Sequence, residues 1–300
     1  MRPPWSVLFF TTLAGAGQGL FLALFFADVT GRGLRHFLFI GSAVACVLVA
    51  LGLVSSFFHL GRPERGWRAA AMWRTSWLSR EVIVLPLFLA LLGAYCLLQL
   101  FSLLAWARVA GVTASLVCLA LFLCTGMIYA CLKFLQEWSS PLTVFNFFAL
   151  GCASGATIAA ALAAWLQPDL AGAYAGLALS VGAIAYLGRI AALLRNTRLR
   201  PKSTTQSAIG ARSPDVRQIS QGQMGGSYNT REFFHGRTRL TVRAVRWTLL
   251  ALVFPVPAAL ILYGAFAAAF IVQYAGLLAE RWYFFAEARH PQNLYYQSIA

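Results

Sequence analysis

Seven stretches of this 300-residue protein carry no charged side group: 3–27, 37–58, 82–107, 109–132, 138–168, 170–188 and 247–279. About 20 apolar residues, rising 1.5 Å each as helix, cross the roughly 30 Å of hydrocarbon in a bilayer. Such runs restrict the chain to membrane-spanning helices. Hydrophobic residues make up 60% of the sequence and charged residues 11%, against roughly 25% charged in soluble domains. The run 247–279 is interrupted by Pro255-Val256-Pro257, which removes two backbone donors and discourages continuous helix. The expected fold is therefore an all-α integral membrane protein, a single domain over 1–300. Its eight transmembrane helices fall at about 5–27, 37–58, 82–104, 109–132, 142–166, 170–193, 240–256 and 258–285. Counting the last run as one crossing would instead give seven helices and put the termini on opposite sides.

The first run is too long for a signal-peptide core. Its Gly15 and Gly19, like Gly151 and Gly155, form small-xxx-small pairs that let helix backbones approach closely in lipid.

Charge orients the bundle. With eight crossings, the termini and the loops after the second, fourth and sixth helices share one side. Seventeen of the 24 Lys and Arg residues lie between Arg62 and Glu81 or between Arg189 and Arg246. The opposite side shows only Arg32, Arg35, His36, Asp28, Arg108 and Asp169. The positive-inside rule then places the first set in the cytoplasm. A net charge of +15 reports topology rather than nucleic-acid binding.

The long basic segment 194–240 is rich in Gly, Ser, Thr, Gln and Arg and cannot bury a core of its own. It reads either as a solvated linker or as a strap that orders against a partner protein. Arg212, Arg217, Tyr228, Phe233, Phe234 and His235 are the contact residues the second reading selects.

Motifs for resident redox centres and for soluble-type catalysis are missing. The six cysteines sit in apolar runs without CxxC or cluster-binding spacing, and read as small core residues. The four histidines fall at helix ends or in loops, not deep in facing helices where haem would need them. No phosphate-cradling G-x-x-x-x-G-K-[ST] occurs. No acid is expected inward of a helix end, which argues against a transporter.

One segment remains chemically loaded. His59-Leu60-Gly61-Arg62-Pro63-Glu64-Arg65 closes the second run and Glu81 opens the third, with Trp67, Trp73 and Trp77 between them. Ionisable groups at membrane depth are costly and mark functional sites by default. An imidazole can take or return a proton near neutral pH, a carboxylate can pass it on, and indoles offer flat faces to an aromatic headgroup. Those pieces suit a quinone, whose conversion to quinol takes up two protons. They suit equally a polar interfacial loop with an aromatic belt and snorkelling arginines.

The pattern H-L-G-x-P-x-R, read here as His59, Leu60, Gly61, Pro63 and Arg65, is followed 22 residues after its histidine by Glu81 in the context Leu78-Ser79-x-Glu81. It resembles the membrane anchor subunit of dimethyl sulfoxide reductase. Overall length and the expected eight helices agree, and Tyr129 to Pro141 and Glu280-Arg281 are similar too. The resemblance implies a three-subunit complex: a molybdopterin catalytic subunit, a four-cluster iron–sulfur subunit, and this chain as anchor. It further implies a bacterial inner membrane and a bound quinone, ubiquinone or menaquinone, at His59, Arg65 and Glu81; Arg62, Trp77 and Ser79, close to them in sequence, are expected to line the same site. His59 would bond a quinone oxygen, Glu81 would relay protons, and Arg65 would position the headgroup or hold Glu81 ionised. This chain would hold neither haem nor cluster. Arg62 and Glu64 stand where the reductase pattern has smaller or uncharged residues. The long loop and the tail from Arg289 to Tyr296 are more similar to the branch serving cytoplasmic sulfite-oxidising complexes, which implies electron flow from sulfite to quinone. The competing expectations are quinol oxidation for a reductase, or a non-redox transporter or scaffold.

Overall fold

The computed structural model describes residues 4–58, 60–200, 206–207, 210–213, 215–216 and 238–288. All regular structure among them is helical. Helices α1 (Trp5–Val29), α2 (Arg35–Phe57), α3 (Trp77–Leu100), α4 (Leu104–Ala130), α5 (Pro141–Leu166) and α6 (Pro168–Thr197) are followed by α7 (Arg239–Val253), α8 (Pro255–Leu262) and α9 (Phe266–Glu287). A 3₁₀ helix, Pro63–Met72, lies between α2 and α3. Among the described residues, seven segments are long and apolar enough to cross a membrane: α1 to α6, and Leu240–Leu262, which joins α7 and α8.

Neighbouring helices run antiparallel. Gly17 faces Ala45 and Val49 while Gly52 faces Phe10 and Ala14; Phe122 packs on Phe148 and Gly126 on Val144; Asn146 donates to the carbonyl of Gly188. Helices α1 and α5 run parallel through the centre, with Gly15 and Gly19 against Gly151 and Gly155. A Cβ at Gly155 would sit 2.1 Å from the carbonyl carbon of Gly19, so the two backbones touch where the small-residue spacing predicted it. The core follows this axis: Phe21, Phe88 and Tyr95 pack edge-on beside α1, and Leu8, Trp138, Phe147 and Phe284 close one end.

That end, called here the near face, gathers the starts of α1, α3, α5 and α7 and the ends of α2, α4, α6 and α9. The far face holds a separate polar knot, in which Tyr95 Oη and Gln99 Nε2 donate to Asp28 Oδ2 at 2.9 and 2.8 Å.

Three sequence expectations need correction. The chain does not reverse at Pro255-Pro257. Both prolines occupy the first turn of α8, where a missing N–H costs no intrahelical bond, and they produce a kink at Phe254. The reversal comes at Tyr263–Ala265, where Gly264 takes φ +79°, so the last helix starts at Phe266 rather than 258. Secondly, Arg189 is not a loop charge, since α6 continues to Thr197 and buries it. Thirdly, acids do lie inward of helix ends: Glu280, 1% exposed, is seven residues before the end of α9.

Candidate functional site

Ser76 caps α3, its Oγ accepting from the Ser79 amide. The helix therefore begins at Trp77, five residues before its uncharged run, and Glu81 is carried inside it. Trp77 and Glu81 are four apart and share a face. Glu81 is only 4% exposed. Its Oε1 accepts a hydrogen bond from the Thr125 hydroxyl of α4, and its second oxygen has no donor among the described residues. A buried carboxylate with one oxygen free can still receive a ligand hydroxyl, a water or a proton.

Around this group the sequence-predicted residues separate. Trp77 is half-buried, with the Arg80 guanidinium 4.2 Å above its ring; Ser79 is buried. Arg80 also donates to the carbonyls of Trp73 and Arg74 at 2.9 Å, tying the end of the connecting strap to α3. Arg62 and Arg65 lie on that strap with exposed side chains, and no ion pair joins Arg65 to Glu81. His59 lies outside the described residues. Trp67 and Trp73 are exposed on the strap, each with the arginine that follows it against its ring. Of the residues expected to meet a partner, Arg212 is described and exposed; Arg217, Tyr228, Phe233, Phe234 and His235 lie outside the described residues.

The structure adds residues that sequence reasoning did not assign. Thr125 was hidden in an apolar run. Tyr129, one turn further along α4, is ringed by Trp138, Phe147, Phe284 and Phe285, each centroid 5.4 Å away. It lies within electrostatic reach of both Glu81 and Arg281. The Arg281 guanidinium stacks 3.7 Å from the Phe147 ring. Beyond it, Arg189 Nε meets Glu280 Oε1 at 3.0 Å, Arg281 Nε lies 3.7 Å from Glu280 Oε2, and Arg189 Nη2 lies 3.9 Å from Glu287 Oε2. The sequence signals were that Arg189 and Glu280 each bound an uncharged run, and that Tyr129 and Glu280-Arg281 fall in segments similar to the reductase anchor.

This arrangement of helices belongs to a sequence with known relatives. The family model for the DMSO reductase anchor subunit (DmsC) matches residues 1–275. The sequence is 51% identical to the C subunit of the sulfite dehydrogenase of Allochromatium vinosum, over an alignment of 332 residues that covers 100% of both proteins. It is 23% identical to the C component of the anaerobic dimethyl sulfoxide reductase of Haemophilus influenzae over 160 residues, covering 52% of this protein and 57% of that one. No solved structure matches.

Proposed function

The chain belongs to the DMSO reductase anchor-subunit family, and we propose that it is the membrane anchor and quinone-reactive subunit of a sulfite-oxidising molybdopterin complex. The observation that carries the substrate is the 51% identity to the C subunit of a sulfite dehydrogenase over the full length of both proteins. The reductase relative matches at 23% over about half of each sequence. The partners are then a molybdopterin catalytic subunit and a four-cluster iron–sulfur subunit.

The near face is taken as cytoplasmic, on the strength of its arginine excess. Helix α9 provides the eighth crossing: it runs back along α7 and α8, with Arg246 donating to Tyr283 Oη and Gly276 against Leu252 and Val253. Its 22 residues extend about 33 Å as helix. Iron–sulfur and catalytic subunits dock on the near face over the strap, and the 194–240 loop with Arg212 extends that surface.

Sulfite and water give sulfate, two electrons and two protons; quinone takes up two electrons and two protons to become quinol. Residues of this chain handle the headgroup and the protons. Glu81 fits the role because it is buried, has one oxygen without a donor among the described residues, and shares a helix face with Trp77. Thr125 fixes its orientation, and Trp77 with Ser79 lines the same helix start. Arg62 and Arg65 belong to the strap that precedes α3, and His59, just before them in sequence, would bond the quinone oxygen.

The test is the intact complex, assayed for sulfite oxidation with a short-chain ubiquinone analogue and, separately, with a soluble dye that takes electrons from the catalytic partner. Glu81→Gln and His59→Ala should remove the quinone-coupled rate and leave the dye-coupled rate unchanged. Full quinone coupling in both variants would refute the site. Oxidation of quinol by dimethyl sulfoxide, with no sulfite activity, would refute the substrate.

A further inference from the structure

The four-residue charge cluster of α6 and α9 is separate from the buried Glu81, yet a line of side chains joins the two. Arg189, Glu280 and Arg281 are no more than 4% exposed as side chains, while Glu287 reaches 12%. Withdrawing each ion from water costs several kcal/mol, and a buried pair is often no more stable than well-packed apolar residues. Retaining four such groups calls for a use beyond packing.

The carboxylates Glu280 and Glu287 are seven residues apart on α9 and so share one face. Both line a narrow crevice at the near face, with Asn146 and Asn196, whose volume admits about one water. Two buried acceptors there, Glu280 Oε2 and Asn146 Oδ1, have no hydrogen-bond donor among the described residues. A water in the crevice would satisfy both. Inward, Arg281 lies on the Phe147 ring and Tyr129 stacks on the same ring at 16°. Tyr129 is one turn from Thr125, the donor to Glu81. Arginine cannot release a proton in a protein, so Arg189 and Arg281 hold the carboxylates in place, and Glu287, Glu280 and Tyr129 are the groups along this line that can hand protons on.

We propose that Glu287 and Glu280, with water in this crevice, and Tyr129, which lies inward of the crevice between Arg281 and Glu81, form the route by which protons pass between the near face and Glu81. The proposal rests on the quinone-site reading above. It adds a path for the two protons that the quinone conversion requires, which Glu81 alone does not supply.

The groups facing Glu280 and Glu287 are Arg189 of α6, Arg281 of α9, Asn146 of α5, and, beside Tyr283, Arg246 of α7; Glu137 lies at the crevice mouth. A purely structural clasp between these helices would need the charges but no proton movement, and the assay must tell the two apart. In the intact complex, Glu280→Gln should lower turnover with decylubiquinone about a hundredfold, leaving its KM and the dye-coupled rate unchanged. Added imidazole, small enough to enter the crevice and carry protons, should restore part of that rate. Tyr129→Phe keeps the ring and removes the hydroxyl, and should give the same kcat loss in a fully assembled complex even if Glu280→Gln fails to assemble. An unchanged kcat in Tyr129→Phe, or a Glu280→Gln defect confined to KM and indifferent to imidazole, overturns the path while the quinone site stands. If Glu81→Gln itself leaves decylubiquinone turnover intact, the quinone site falls and takes the path with it.

Discussion

Thr125 shows how a single hydroxyl can decide what a buried acid does. A hydrogen bond to a charged group contributes about 1.5–3 kcal/mol, and losing it leaves the carboxylate to reorient. Thr125→Val, which keeps the shape and removes the donor to Glu81, should lower quinone-coupled turnover about tenfold, whereas Thr125→Ser should retain it; steady-state rates on the assembled complex decide this. Arg189 supports a second expectation. Replacing it with Leu strands Glu280 beside Glu287 and should destabilise the protein by about 3–5 kcal/mol, seen as a lower midpoint of thermal aggregation in detergent. Combining Arg189→Leu with Glu280→Leu should recover part of that stability, because the 3.0 Å pair is then removed as a unit while Glu287 and Arg281 remain. Glu81 was legible in the sequence because a charge at the head of an apolar run stands out. Its partner was not: a threonine inside 109–132 could face any neighbour until the register of α3 against α4 is known. Arg189 and Glu280 misled for a related reason. Each terminates an uncharged run, so each resembles a surface charge near a helix end, and only their 3.0 Å contact shows that the two are buried against each other.

Among the helices, the contact between α1 and α5 fixes the centre of the bundle, and it was readable because small residues four apart have few other uses in lipid. A Cβ on Gly19 would lie 2.1 Å from the Gly151 oxygen, and one on Gly155 would meet Gly19 backbone at the same distance. Relief requires moving one helix, and overpacking of this kind costs about 1–3 kcal/mol or more. Gly155→Leu should therefore reduce the yield and melting temperature of the extracted protein. Gly172→Leu, at a position where an added Cβ meets nothing within 4 Å, should leave both unchanged. Comparable losses in the two variants would contradict a backbone contact at this crossing. The ends of helices were read less well than their middles. Ser76 starts α3 through a side-chain cap that lies outside the uncharged run, and two prolines that suggested a break initiate a turn of helix instead. Hydropathy reports what a residue prefers to be near, while caps and first turns depend on where donors go unused.

At the scale of the whole molecule, the antiparallel order of the helices makes sidedness a single choice, which one well-placed probe can test. If α9 crosses the membrane, the turn at Tyr263 lies on the far face with Arg32, and the end of α9 returns to the near face with Arg62. If α9 stays at one surface, the turn and the residues after Glu287 share a side. Tyr263 is 92% exposed and avoids the positive φ of Gly264, so Tyr263→Cys is a mild substitution. Of the six native cysteines, Cys131 is exposed on the near face and must first become Ser. In intact cells, a membrane-impermeant maleimide should then label Tyr263→Cys and Arg32→Cys, and should reach Arg62→Cys only after the membrane is opened. A reporter fused after residue 300 should be active in the cytoplasm. Labelling of Arg62→Cys in intact cells would invert the bundle and remove the docking face from the iron–sulfur partner. A periplasmic reporter, with the other three results unchanged, would show instead that α9 does not complete a crossing. The charge cluster would then sit at the wrong depth to deliver protons to Glu81, so the topology and the proposed proton route stand or fall on the same helix.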